Sequence, residues 1–361
     1  MRVAIVDGFY DVSHRLWAQG WKKYSKHHID IYALPPRHWK WQMMGGSISL
    51  AQMINDSDAD YDLFVVSDMV HLPIMKSLLA PRYHEVAIAL YFHENQITYP
   101  WSPTDEDVEL KRDHHYGFAN YVSALTADKV FFNSHYHRDS FLDALPGFLG
   151  MYPSSQLEKT IHEIKIKSSV LPIGLDLSQL QNLKNDLPIF LWNHRWEYDK
   201  NPKVFFDVLY RLKERGVEFK LIILGRSYQK SPSVFEEAKK QLENEIIHFG
   251  YAESRAAYIT LLKQANILLV TGYQDFFGIS VVEAIAAGCY PILPDRLAYP
   301  EHIPEGLRSS HIYKNETELM TLLDKVLDEK LYLKTNVVQS YVQRYDWKNL
   351  IEVYDEMIES N

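Results

Sequence analysis

The chain has 361 residues, 47% apolar and 24% charged, with a formal net charge of −9; that is longer than one hydrophobic core ordinarily supports, so two domains are expected. Apolar runs are too short for a membrane span and Asp7 interrupts the apolar start, so neither stable membrane insertion nor a signal peptide is expected. Cys289, the only cysteine, excludes an internal disulfide and a cysteine-based zinc cage and suits a reducing cytoplasm, while the acidic balance excludes indiscriminate coating of nucleic acid and leaves a local basic face open.

Short β-branched runs at residues 3–6, 63–66, 86–91, 130–133 and 169–172 alternate with longer helical patterns. Strands separated by helices imply a parallel sheet with right-handed crossovers. The pattern restarts after the polar stretch SQLQNLKND, with strands at 188–192, 220–224, 246–249, 267–271 and 290–293. Two doubly wound α/β domains of Rossmann type are therefore expected, spanning 1–178 and 186–340, with their boundary near 177–187. Residues 147–167, where Gly147, Gly150 and Pro153 precede an amphipathic helix, read as a surface connection, a lid or an acceptor loop. Ligands of open parallel sheets sit beyond the carboxyl ends of the strands, so a site is expected in a cleft between two such sheets.

After the strand PIFLW come Arg195 and Lys200, just ahead of a helix opening at Pro202. A planar fork of donors and a mobile ammonium beside a helix N-terminus suit a diphosphate. The same pair would also serve as a surface bridge to Glu197 and Asp199. Residues 275–283 read DFFGISVVE, two carboxylates flanking a glycine turn and a helix start. Carboxylates accept hydroxyl hydrogen bonds, so Glu283 could grip a ribose and Asp275 a hexose; the plainer reading makes Glu283 a charge favoured by the helix dipole and Asp275 a cap.

In the first half, YFHENQ ends a buried strand with four polar side chains, His93, Glu94, Asn95 and Gln96. Gly8 follows the first strand, where a lone glycine also makes an ordinary tight turn. Arg15, Lys22, Lys23, Lys26, Arg37 and Lys40 interleave with Trp17, Trp21, Tyr24, Tyr32, Trp39 and Trp41. Cations beside rings suit single-stranded RNA or an anionic membrane surface; an amphipathic helix with its tryptophans in the core and its lysines solvated fits as well. Asp56 and Asp58 read as a solvated loop, and no aspartate pair suits a donor-site metal.

Arg195, Lys200, the Asp275 to Glu283 pair around Phe277-Gly278, Leu224-Gly225, Gly250-Tyr251, Gly288-Cys289-Tyr290-Pro291 and Glu301 together resemble the retaining GT-B glycosyltransferases of family 4; Asn133-Ser134 and PIGLD at 172–176 are also similar. Asp275 departs from that family's usual Glu by one methylene. The resemblance implies donor contacts from Gly8, Arg195, Lys200, Gly225, Arg226, Gly250, Tyr251, Asp275, Phe276, Phe277, Gly278, Ile279 and Glu283, with His93 beside the transferred sugar. It implies base recognition by backbone near Gly225 to Ser227 and Gly250, and a last helix within 341–361 that packs back on the first domain. It further implies front-face transfer, in which the acceptor hydroxyl gives its proton to the departing diphosphate and catalysis rests on His93, Arg195, Lys200 and Asp275, without metal or other cofactor.

His93-Glu94-Asn95-Gln96 with Tyr99-Pro100, WNHRWEYDKNP at 192–202 and FFGISVVEA at 276–284 resemble one branch in particular, the tRNA-queuosine α-mannosyltransferase family, also described as glycosyltransferase-like domain-containing proteins. That implies GDP-mannose as donor and queuosine in a tRNA anticodon loop as acceptor, approached by His14, Arg15, Lys22, Lys23, Lys26, Arg37, Lys40, Glu94, Asn95 and Gln96. A lipid, polysaccharide or small-molecule acceptor on the same fold, and a silent RNA-binding module, are the alternatives. Base, sugar and oligomeric state are not legible in the residues alone.

Overall fold

A computed structural model shows the alternation of strands and helices as two separate parallel sheets and describes residues 1–102, 105–110, 113–152, 157–180, 186–226 and 232–359. The chain divides into two units, Met1–Leu175 with Trp347–Asn361, and Asp176–Asp346. Residues 153–156 of the 147–167 segment, 181–185 of the polar stretch, and Ser227 lie outside the described residues.

The first unit's sheet contains β1 (Arg2–Asp7), β2 (His28–Ala33), β3 (Leu63–Ser67), β4 (Ala87–Phe92), β5 (Lys129–Phe132) and β6 (Ser168–Val170), in the order β2-β1-β3-β4-β5-β6. Its central strands are apolar along their length because helices cover both faces; β3, LFVVS, is buried at every position. β2 was not expected. Its sequence HIDIYA alternates polar with apolar, as an edge strand does, and it pairs in parallel with β1 from Arg2 opposite His28 to Asp7 opposite Ala33.

The region 147–167 contains the amphipathic helix expected there. The helix His135–Leu149 runs through Pro146 and Gly147 and is capped at Gly150, so the glycines close a helix before the amphipathic helix Leu157–Ile166 begins. Asp56 and Asp58 lie exposed where the helix Ser47–Asn55 ends. The last helix, Trp347–Glu359, belongs to the first unit. Tyr354 accepts a hydrogen bond from Trp17 Nε1 at 2.9 Å and donates one to the Pro172 carbonyl at 2.7 Å, and Trp347 is buried against Gly20 and Gly174.

The second unit's sheet contains β7 (Ile189–Asn193), β8 (Lys220–Leu224), β9 (Ile246–Gly250), β10 (Ile267–Leu269), β11 (Tyr290–Pro294) and β12 (Ile312–Tyr313), ordered β12-β11-β10-β7-β8-β9. β12, two residues at the sheet edge, was likewise not expected. One face is packed by an aromatic core in which Trp192, Phe205, Phe206 and Phe235 meet, with Trp196 stacked on Phe235 at 4.4 Å. Strand order reverses between β1 and β3 in one unit and between β7 and β10 in the other, and these switch points are where an open α/β sheet receives ligands.

Candidate active site

In the first unit three adjacent strands deliver polar groups at their carboxyl ends. Asp7 ends β1, Asp68 follows β3 and His93 follows β4. Asp11 caps the helix Val12–Tyr24 by accepting from the His14 amide at 3.0 Å, which sets His14 in the first turn. From there its Nδ1 lies 2.7 Å from Asp7 Oδ2. The His14 ring stacks on His93 with centroids 3.9 Å apart and planes 26° from parallel. Trp17 meets the His93 ring edge-on at 4.7 Å and Tyr91 lies at 4.8 Å. The His93 backbone is held independently, its amide donating to Asp68 Oδ1 at 2.7 Å and its carbonyl accepting from Asn133 Nδ2 at 2.8 Å.

Burial pulls the pKa of His14 down, but Asp7, Asp11 and Asp68 outweigh it and raise it to about 10, so this ring carries a proton at neutral pH. His93 is held well below the ordinary histidine range by burial and then by the charges of His14 and His137. Burial, then the neighbouring Glu94, holds Asp68 well above the usual carboxyl range. Asp7, His14 and His93 bring atoms of metal-ligand type within 4.8 Å of one another. With His14 Nδ1 engaged by the carboxylate and two imidazoles stacked face to face, their geometry is that of a hydrogen-bonded dyad of Asp7 and His14 under the His93 ring.

Several residues expected at an RNA-binding face sit elsewhere. His14 is buried in the dyad. Asn95 is fully buried and caps its own turn by accepting from the amides of Ile97 and Thr98; Gln96 is buried, with its amide on Asn120, while its side chain donates to Glu94 at 2.8 Å. Trp17 and Trp21 are core residues of the first helix, whose outer side carries Arg15, Lys22 and Lys23, so here the amphipathic-helix reading describes the structure. Lys26 pairs with Glu359 at 2.9 Å and Lys40 with Asp105 at 2.6 Å. Arg37 is exposed, and Trp41 is 80% exposed. Gly8 packs against the Met69 carbonyl so closely that a Cβ would lie 2.1 Å from its oxygen.

In the second unit β7 leads into His194 and Arg195, and β10 leads toward Asp275. Lys200, 6% exposed, donates to the Gln274 carbonyl and lies 3.2 Å from Asp275 and 3.3 Å from Asp199. Tyr299 donates to Asp275 Oδ2 at 2.6 Å. Burial pushes the Asp275 carboxyl upward, but Lys200, His194 and Tyr299 overcome it and hold its pKa below the usual value. His194 is buried at a pKa of about 4, its Nδ1 3.2 Å from Ser280 Oγ. Arg195 is half exposed and lies 3.4 Å from Glu197, whose pKa is raised by burial and by Asp199. The two cations expected to act as one clamp thus occupy different surroundings, Lys200 inside a carboxylate cage and Arg195 at the surface.

Gly278, at φ 85°, starts the helix Ile279–Ala286 in a left-handed conformation that a side chain would strain. Asn193 Nδ2 donates to the Ser280 carbonyl at 2.7 Å, tying the end of β7 to that first turn. Glu283 is buried inside the helix, with Arg255 donating to Oε1 and Tyr258 to Oε2 at 2.9 Å. It is therefore neither a helix-end charge nor an unpaired ribose acceptor. Phe276 and Phe277 are buried, and the Phe277 carbonyl is bonded by His302 Nε2 at 2.6 Å; Ile279 is part exposed. Gly225 and Gly250 close adjacent strand ends through an amide-to-carbonyl bond of 3.3 Å, with Arg226 and Tyr251 exposed beside them.

Sequence reasoning missed the residues that hold the site: Asp68, Asp199 as a cage member, His194, Arg255, Tyr258 and Tyr299. Asp7 left a signal in the sequence, a carboxylate closing the apolar strand VAIVD, and Asp199 left one as a bridging partner in the Arg195 to Lys200 motif.

Residues 176–343 match the family described as Glycosyl transferases group 1. The fold is that of sucrose-phosphate synthase from Thermosynechococcus elongatus (TM-score 0.71, 13% identity, all of both chains covered) and of Anabaena HepE in complex with UDP-glucose (TM-score 0.69, 14% identity, all of both chains). The chain is a glycosyltransferase of the GT-B fold. Residues 2–175 match the family described as tRNA-queuosine alpha-mannosyltransferase N-terminal. The tRNA-queuosine alpha-mannosyltransferase of Drosophila melanogaster is 34% identical over 84% of this chain and 82% of its own, and the GDP-mannose:cellobiosyl-diphosphopolyprenol alpha-mannosyltransferase of Xanthomonas oryzae pv. oryzae (strain PXO99A) is 26% identical over 51% of this chain and 50% of its own. The chain belongs to the tRNA-queuosine alpha-mannosyltransferase family.

Proposed function

We propose that the protein moves mannose from GDP-mannose, with retention of configuration, onto queuosine in a tRNA anticodon loop, in the cytoplasm and without a metal. The similarity to the Drosophila enzyme along most of both chains carries this reading, and the mannosyl donor named for the Xanthomonas relative supports the choice of nucleotide sugar. The donor's diphosphate meets Arg195 and the amides opening the helix at Gly278, Lys200 fixes Asp275 for a hexose hydroxyl, and Glu283 takes the ribose while Arg255 and Tyr258 hold it. His93 offers its ring to a sugar hydroxyl. On the leaving-group face the bond from acceptor oxygen to the anomeric carbon forms as the bond to the diphosphate breaks, and the acceptor's proton passes to the departing diphosphate oxygen. The protein positions these atoms and stabilises charge instead of supplying a base. Arg15, Lys22 and Lys23 neutralise RNA phosphates.

Purified protein given GDP-mannose and queuosine-containing tRNA is expected to yield, after digestion, a nucleoside heavier by one hexose. No mass change with any queuosine tRNA would sink the acceptor assignment, and incorporation from a UDP-sugar but not from GDP-mannose would sink the donor.

A further inference from the structure

His93 is mostly enclosed, yet neither of its ring nitrogens has a hydrogen-bond partner among the described residues, and Nε2 is shut off from solvent. A histidine kept only for the fold would ordinarily satisfy those atoms. Its ring is instead gripped by faces and edges, from His14, Trp17 and Tyr91. Of these, His14 alone is anchored by a charge-assisted bond, to the fully buried Asp7.

We propose that Asp7 and His14 are positioning residues for the transfer reaction: Asp7 anchors the His14 ring, and that ring, stacked on His93, fixes the plane in which His93 meets a substrate hydroxyl. The proposal rests on the transferase reading given above. The arrangement has an electrostatic consequence as well. His14 faces Asp7 from β1, Asp11 from its own helix start and Asp68 from the end of β3, so it holds its proton; His93 faces His14 and, from the helix His135–Leu149, His137. A cation against its face and burial around it keep His93 neutral, with a lone pair and an N–H both available to a hydroxyl.

The test is histidine-selective nitrogen NMR on the full chain, with the His93 signal assigned from its loss in His93→Gln, beside steady-state hexose transfer. His14→Phe keeps a ring on His93 while removing the charge; Asp7→Asn keeps the shape of the carboxyl and weakens its hold on the proton. In the wild type His93 is expected to remain neutral from about pH 8 to pH 5, and in both variants its titration is expected to move upward. Transfer is expected to lose about 10- to 100-fold in kcat, with the donor KM changed by less than about threefold. Combining His14→Phe with His93→Gln is expected to cost little more than His93→Gln alone, because both act through one ring. Should His14→Phe fail to fold, Asp7→Asn carries the comparison.

An unmoved His93 titration, or fully additive losses, would overturn the proposal. So would a stoichiometric divalent metal in the purified protein that shifts both ring signals. A wild type that transfers no hexose sinks the transferase reading, while the titration still decides whether the dyad governs His93.

Discussion

Replacing Lys200 with Met removes a cation in contact with two carboxylates, Asp275 at 3.2 Å and Asp199 at 3.3 Å, in a site where Lys200 and Asp199 are almost wholly buried. Each pair is worth about 5 kcal/mol of attraction at an effective dielectric of about 20, most of it offset by desolvation. What the substitution leaves behind is the larger effect, two acids without a counter-charge, and breaking a buried pair from one side typically costs about 3–5 kcal/mol. At about 2–4 °C per kcal/mol for a unit of this size, the transition of the second unit is expected to fall by on the order of 10 °C at pH 8. In the wild type the depressed Asp275 contributes stability above the unfolded carboxyl pKa of about 3.9, lost only as pH falls through the lower folded value. Without Lys200, burial dominates and raises that carboxyl, so its penalty is full at high pH and fades as protonation relieves it. The deficit is therefore expected to narrow between pH 8 and pH 5, measured by thermal unfolding at each pH. Hexose transfer is expected to fall at least about 100-fold. Arg195→Ala is expected to match the loss of transfer while lowering stability by no more than about 1 kcal/mol, since its pair with Glu197 is half exposed. A Lys200→Met protein that melts within about 2 °C of the wild type at pH 8, or a deficit unchanged down to pH 5, would refute the caged-lysine account.

Replacing Lys22 and Lys23 with Gln is expected to weaken tRNA binding and to lower the slope of log affinity against log salt by about 1.5, read from filter binding at several salt concentrations; an unchanged slope returns these residues to an ordinary solvated helix side. Gly174→Ala would set a Cβ 2.5 Å from the Trp347 indole, so the last helix must shift, at a cost of about 1–3 kcal/mol in thermal unfolding; Gly147→Ala, whose Cβ meets nothing within 4 Å inside a helix, is expected to be neutral or stabilising by up to about 1 kcal/mol.

The fold was legible wherever burial on two faces forces an unbroken apolar run, as in LFVVS and IFLWN. It was illegible at the edges, where HIDIYA and the pair Ile312–Tyr313 lack that signature. The candidate site divides the same way. Arg195, Lys200, Asp275, Gly278 and Glu283 stand in continuous motifs, and the structure brings Lys200 and Asp275 together. Their partners are joined by topology alone: Asp68 reaches the His93 amide across 25 positions, Tyr299 reaches Asp275 across 24 and Arg255 reaches Glu283 across 28. The interleaved tryptophans left two readings open for a related reason. Composition counts rings and cations together, whereas a helix of 3.6 residues per turn sends Trp17 and Trp21 to one side and Arg15, Lys22 and Lys23 to the other.

Those hidden partners change what the cations can do. A motif read alone pairs Arg195 and Lys200 as equal halves of a phosphate clamp. In the fold Lys200 already has two carboxylates and a carbonyl, so most of its charge is spent organising Asp275, and the charge it can lend to a phosphate is what those partners leave over. Arg195 lies 3.4 Å from Glu197 with half its side chain in solvent, where an ion pair is screened and contributes little. The two cations of the donor half therefore sit differently, a buried lysine paired with Asp275 and a half-exposed arginine beside Glu197. On the first unit a comparable arrangement recurs, with Asp7 holding His14 and the His14 ring stacked on His93.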